Sequence, residues 1–83
     1  MGNNKSIREN YNNTQDRIVQ YLMGGLRKGK HYFKSKYIAH DLGLSAKEVG
    51  TNLAILSEIC EELEIQRWSY SNSTTWMVCP RAA

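Results

Sequence analysis

Lys47 and Thr51 stand four residues apart, one helical turn, in the run Ser45-Ala46-Lys47-Glu48-Val49-Gly50-Thr51-Asn52-Leu53-Ala54. These side chains can read nucleic acid. A lysine ammonium donates to guanine O6 or N7, or to a phosphate; a threonine hydroxyl bonds a base edge and its methyl meets a thymine methyl. Gly50 and Ala54 are small enough to let a helix axis approach a groove floor. With Ser45 they complete the face. Asn52 has an adenine reader's chemistry, but on a helical wheel it turns toward the apolar side, where packing or capping is its expected role.

A second group precedes it. Arg27, Lys28, Lys30, Lys34 and Lys36 fall in a ten-residue stretch without an acid. Lys34 and Lys36 flank the start of a short amphipathic segment. There helix N–H groups and the dipole attract an anion, so a phosphate held by the two lysines would set register without reading sequence. The same lysines also suit a plain solvated surface. Glu58, Glu61, Glu62 and Glu64 form an opposing acidic stretch that would repel phosphate and confine contact to the first two turns of the reading helix. A third group, Asn72, Ser73 and Thr74, is uncharged but hydrogen-bonding; it serves as a plain turn or reaches a backbone or minor groove.

Local signals place these groups on elements. Thr14 is the expected N-cap of a first helix over about 15–28, with Ile18, Val19, Leu22, Met23 and Leu26 as its stripe and Gly29 as its stop. Gly24 and Gly25 weaken that helix and mark a close approach or a frayed last turn. His31, Tyr32 and Phe33 form a strand candidate. Ser35 is the expected cap of a second helix, about 36–42, which carries Ile38, Ala39 and Leu42. Gly43 ends it in a left-handed turn. Ser45 with Glu48 makes a capping box that opens a third helix from 46 to about 61, with Val49, Leu53, Leu56, Cys60 and Leu63 on one side. Two short helices around a tight turn are the layout of a helix-turn-helix. Residues 65–70 and 75–79 are β-rich and flank Ser71-Asn72-Ser73-Thr74, giving a hairpin that Pro80 ends. A two-residue Asn72-Ser73 turn would set Tyr70 opposite Thr75 and Trp68 opposite Met77; a longer loop or a bulge would change these pairs. Trp76 and Trp68 are expected to seal the sheet against the helices, and Tyr70 to be exposed.

The predicted class is α+β: a three-helix bundle with a small antiparallel β-hairpin wing over residues 14–83, after an Asn-rich polar tail, 1–13, expected to be disordered. From the first helix to Pro80 the chain resembles the winged helix-turn-helix superfamily. More narrowly, Y-F-K-S-K-Y-I-A-H-D-L-G-L-S-A-K-E-V-G-T-N-L and the later S-N-S-T-T-W look like a group of small archaeal winged-helix proteins, most without an assigned role. The resemblance implies DNA binding or transcriptional control. It departs from many DNA-binding members in one respect: the reading helix offers Lys47 alone before the acids begin, and the wing turn is uncharged.

Composition narrows the rest. At 83 residues, 41% hydrophobic and 23% charged, the chain is one small domain of ordinary globular make-up. It has no apolar run near the ~20 residues a membrane span needs and no signal-peptide pattern, so a soluble, cytoplasmic protein is expected. Cys60 and Cys79 read as reduced thiols. No C-x-x-C occurs, and His31 and His40 lack metal-ligand spacing. Without a nucleophile elbow, phosphate loop or paired carboxylates, neither an enzyme nor a cofactor is expected. The leading expectation is a transcriptional regulator whose partner is double-stranded DNA, with its third helix in the major groove. A homodimer through Met23, Gly24 and Gly25 would double the site. The competing expectation is a protein-protein interaction module built on the same fold.

Overall fold

In the computed structural model, which describes residues 11–69 and 74–81, the sequence periodicities become three helices and three strands. They run α1 (Asn13–Arg27), β1 (Tyr32–Lys34), α2 (Ser35–Leu42), α3 (Ala46–Ile59), β2 (Leu63–Ser69) and β3 (Thr75–Pro80). The strands form one antiparallel sheet in the order β1-β3-β2. The result is a small α+β domain with a layout compatible with a winged helix. Residues 1–10 of the expected tail, Tyr70 and the Ser71-Asn72-Ser73 turn lie outside the described residues.

The start of α1 differs from expectation. Asn12, not Thr14, is the cap: its Oδ1 accepts from the Gln15 amide at 2.7 Å, and Gln15 Oε1 accepts from the Asn12 amide at 3.1 Å. A reciprocal box needs an acceptor three residues after the cap. Gln15 supplies one after Asn12, whereas Thr14 is followed at that distance by Arg17, which cannot accept. At the other end the Lys28 and Gly29 amides donate to Gly25 and Leu26 carbonyls, and Gly29 takes φ +86° as the stop.

The second helix also opens differently. Lys34 is its N-cap, without a side-chain bond, and Ser35 is its first residue. The buried Ser35 hydroxyl accepts instead from Trp76 Nε1 at 2.8 Å. Gly43, at φ +71°, ends α2, with Leu44 N donating to Ala39 O. The Ser45–Glu48 box opens α3, both of its bonds being 3.0 Å. That helix stops at Ile59, short of 61. Cys60 is the extended C-cap, though still buried, and Leu63 belongs to β2 and not to the helical stripe.

In the sheet, Phe33, Trp76 and Arg67 share one row, and Tyr32, Met77 and Gln66 the next. The hairpin register is therefore not the one a two-residue turn would set. Residues 70–74 separate the strands, and a bulge lies between Arg67 and Ser69, where Ser69 faces Thr75. An extra residue on one strand shifts every later pair. Trp76 fills the core as expected. Trp68 does not: it is 57% exposed on the open face of the sheet, tilted against Tyr32 with 5.5 Å between ring centroids. Strand alternation places Gln66 and Trp68 on the face opposite Ile65 and Arg67.

The core gathers Ile18, Val19 and Leu22 of α1, Ile38 of α2, Val49, Leu53 and Leu56 of α3, and Phe33, Ile65, Trp76 and Val78 of the sheet. Gly25 explains how β1 docks. A Cβ there would lie 2.6 Å from Phe33 Cε2, whereas one at Gly24 would meet nothing within 4 Å. Gly25→Ala is therefore expected to lower stability by about 1–3 kcal/mol through overpacking of a buried ring. Gly24→Ala should be neutral or raise it by about 0.5–1 kcal/mol. Urea midpoints of the two variants, compared with the parent, check the contrast.

Candidate nucleic-acid interface

Helix α3 presents its first turns to solvent. Lys47 and Thr51 are exposed, Gly50 is half-buried, and nothing lies within 4 Å of where a Gly50 Cβ would stand. Ser45 is exposed too, but its hydroxyl oxygen already accepts from the Glu48 amide, which leaves the hydroxyl hydrogen for a partner. Ala54 departs from expectation: it is half-buried and packs against the core. It lies on the shoulder of the face, because the stripe of Val49, Leu53 and Leu56 draws its side of the helix inward. Asn52 bridges helices, as its wheel position implied. Its Nδ2 donates to Glu48 O at 2.8 Å and its Oδ1 accepts from Gln15 Nε2 at 3.1 Å.

The second group assembles at the start of α2. Lys34 and Lys36 are both exposed on either side of buried Ser35, whose amide donates to Thr74 O at 2.9 Å. Lys34 also pairs with Thr75 across the sheet. Thr74, just before β3, is thereby brought beside the two lysines. One helix N–H is spent on that bond, so an anion at this end would rely mainly on the ammonium groups. Lys36 Nζ lies 5.4 Å from the centre of the exposed Tyr37 ring. Asn72 and Ser73 fall outside the described residues.

Two features are additional to those singled out from the sequence. Ile55 and Ile59 are 42% and 38% exposed, continuing at four-residue spacing the line that begins with Lys47 and Thr51. The wheel carried that signal, but Ile55 was overshadowed by the stronger apolar stripe. The other is a polar tie between α1 and α2. Tyr21 Oη donates to Asp41 Oδ2 at 2.5 Å, and Arg17 Nη2 donates to Leu42 O at 2.6 Å. Partial burial, then the Asp41 bond, pushes the Tyr21 phenol up to about 12. The Tyr21 hydroxyl, with His40 beside it, holds the Asp41 carboxyl below its ordinary value. On the far side of the domain, Tyr11 Oη donates to Glu62 at 2.8 Å. Burial and its bonds with Cys60 and Glu62 keep that phenol well above the usual range.

Cys60 and Cys79 are free thiols. Among the described residues, no three His, Cys, Asp or Glu side chains are placed to hold a metal ion, and no helix is long and apolar enough to cross a membrane. A family described as a domain of unknown function, DUF7123, matches residues 1–80. The chain belongs to the DUF7123 family. No curated protein and no solved structure matches it.

The Tyr21–Asp41 tie gives this DUF7123 domain a defined acid response. Because the folded Asp41 pKa is lowered, the unfolded chain binds the proton more readily. The contribution is present above the ordinary Asp pKa and is lost as pH falls through the lowered value. Tyr21→Phe removes the donor. The Asp41 carboxyl titration, followed by NMR, should move up toward its ordinary range, and the fall of stability with acid should flatten. An unmoved Asp41 titration would mean that the bond does not form in solution.

Proposed function

We propose that this DUF7123 domain is a winged helix-turn-helix protein that binds double-stranded DNA and regulates transcription. In this reading α3 enters the major groove and the β2–β3 hairpin is the wing. The observation that carries it is the first half of α3: Lys47 and Thr51 exposed one turn apart, with the small Gly50 between them, on a helix opened by a capped turn. Lys34, Lys36 and Thr74, tied together at the start of α2, supply the phosphate contacts. Glu58 and the exposed isoleucines limit groove contact to the first two turns. Recognition of this kind is weakly specific for one domain, and a homodimer would double the site.

A second reading has its own support. Ile55, Ile59 and Trp68 are large, apolar and exposed, as on a protein-interaction module. A titration with random duplex DNA separates the two. With about four phosphates neutralised, log K should fall with log salt at a slope of roughly −3.6. Amide shifts should gather at Lys36, Lys47 and Thr51. Lys36→Glu combined with Lys47→Glu should abolish binding while leaving the amide spectrum folded. A spectrum unchanged by duplex at low salt would rule out the DNA reading and favour the interaction module.

A further inference from the structure

Gly24 has no packing reason to be glycine. It lies inside α1, where glycine costs about 0.5–1 kcal/mol relative to alanine. Its φ is not in the left-handed region, and no atom lies within 4 Å of where its Cβ would stand. Its neighbour Gly25 is explained by Phe33; Gly24 is not. Gly24 instead lines a cleft of about 510 Å³, half open to solvent, between the last turns of α1, β1 and α2. That volume suits a small-molecule ligand.

The cleft has a defined chemistry. Arg27, Lys28 and Lys30 line it, against a single acid, Asp41. Arg27 and Lys28 pair with no acid among the described residues, and Lys30 Nζ stands 5.3 Å over the Phe33 ring. Two carbonyls of the last turn of α1 are bonded, Gly25 O by the Lys28 and Lys30 amides and Leu26 O by the Gly29 amide, so the three cations must outweigh the negative end of the helix dipole. One wall is the bare Gly24 backbone and the half-buried Tyr21 ring, which meets Phe33 edge-on at 6.3 Å. The Asp41 carboxylate takes a bond from Tyr21 on Oδ2 and lies 3.4 Å from His40 Nδ1 on Oδ1, and its remaining lone pairs can accept from another donor.

The geometry points to a binding site in this cleft for a small organic phosphate carrying a flat ring. Its phosphate would sit among Arg27, Lys28 and Lys30, its ring would lie over Gly24 against Tyr21, and a hydroxyl or amine of the ligand would reach Asp41. A phosphate matches three cations better than a single carboxylate does, because it carries more charge and more acceptor oxygens. The site stands apart from the α3 face and does not depend on the DNA reading.

The test is an amide-shift titration of the full chain, at constant ionic strength, with adenosine monophosphate, adenosine and inorganic phosphate as probes. The nucleotide should give saturable shifts at Gly24, Gly25, Lys28 and Gly29 by about 10 mM, where even a millimolar complex is mostly formed. Adenosine and inorganic phosphate should each bind about tenfold more weakly or worse. Arg27→Glu should weaken the nucleotide about tenfold, the scale of one charge-assisted hydrogen bond. Gly24→Leu, whose Cβ meets nothing, should fill the cleft and abolish nucleotide binding while the domain stays folded and its affinity for duplex DNA, if any, is unaltered. The proposal is overturned if the nucleotide leaves these amides unshifted. It is equally overturned if either fragment binds as well as the nucleotide, if the shifts fall on Lys47 and Thr51 instead, or if Gly24→Leu binds like the parent. None of these results depends on duplex binding, so the two proposals fail separately.

Discussion

An indole nitrogen buried without an acceptor costs about 1–3 kcal/mol, and Trp76 is only 1% exposed. Its acceptor is the Ser35 hydroxyl, and that single bond joins the middle strand of the sheet to the first residue of α2. Much else is fixed by it. Phe33 sits in the same row as Trp76 and closes on Gly25, so β1 is pinned between sheet and α1. The Ser35 amide reaches Thr74 O, so the start of β3 is held to the same point. Lys34 and Lys36, on either side of Ser35, are therefore carried by backbone that is bonded to the middle strand on both sides. Exposed cations positioned this way lose less freedom on meeting an anion than cations on a loose loop would.

Around this centre the helices are joined by polar bridges at the rim of the core. Gln15 meets Asn52 between α1 and α3, Tyr21 meets Asp41 between α1 and α2, and Tyr11 meets Glu62 at the start of the sheet. A chain of this size buries roughly 60% of its unfolded surface, so its apolar core alone leaves little margin. Half-exposed bridges add modestly to stability. Their larger effect is directional: the Gln15–Asn52 and Tyr21–Asp41 bridges both rise from α1 and together fix its rotation about its axis. That rotation also turns Gly25 toward Phe33 of β1.

Much of the fold was legible because its signals are local. Gly43 before Ser45 and Glu48 announced the turn and the start of α3, and the spacing of Val49, Leu53 and Leu56 announced its buried side. The order of elements followed from the same kind of pattern. What escaped depends on partners far away in the chain. Ser35 looks like a cap until Trp76, forty-one residues later, claims its hydroxyl. Trp68 and Trp76 both had claims on the core, Trp76 the stronger, and the bulge and the five-residue connection exclude Trp68. Asn12 outcompeted Thr14 through Gln15, a local signal that was present and passed over. On the α3 face, Lys47, Gly50 and Thr51 are readable from helical phase, whereas Ala54 lies at its margin, where packing against the core draws it inward. The Tyr21–Asp41 tie had no sequence signature, since nothing local relates the two residues.

The order β1-β3-β2 leaves a row of β2 backbone donors and acceptors facing away from the sheet. A long, flat margin of that kind invites a strand from another molecule and starts aggregates. Here the invitation is withdrawn three times over. The ladder is interrupted by the bulge between Arg67 and Ser69, and a bulge bends the strand that carries it. Exposed Glu64, Gln66 and Arg67 would oblige any newcomer to desolvate charged and polar side chains. At the opposite margin β1 is three residues long, too short to template a partner. The irregularity that defeated a simple reading of the hairpin is thus also what lets a β-rich half end cleanly in water.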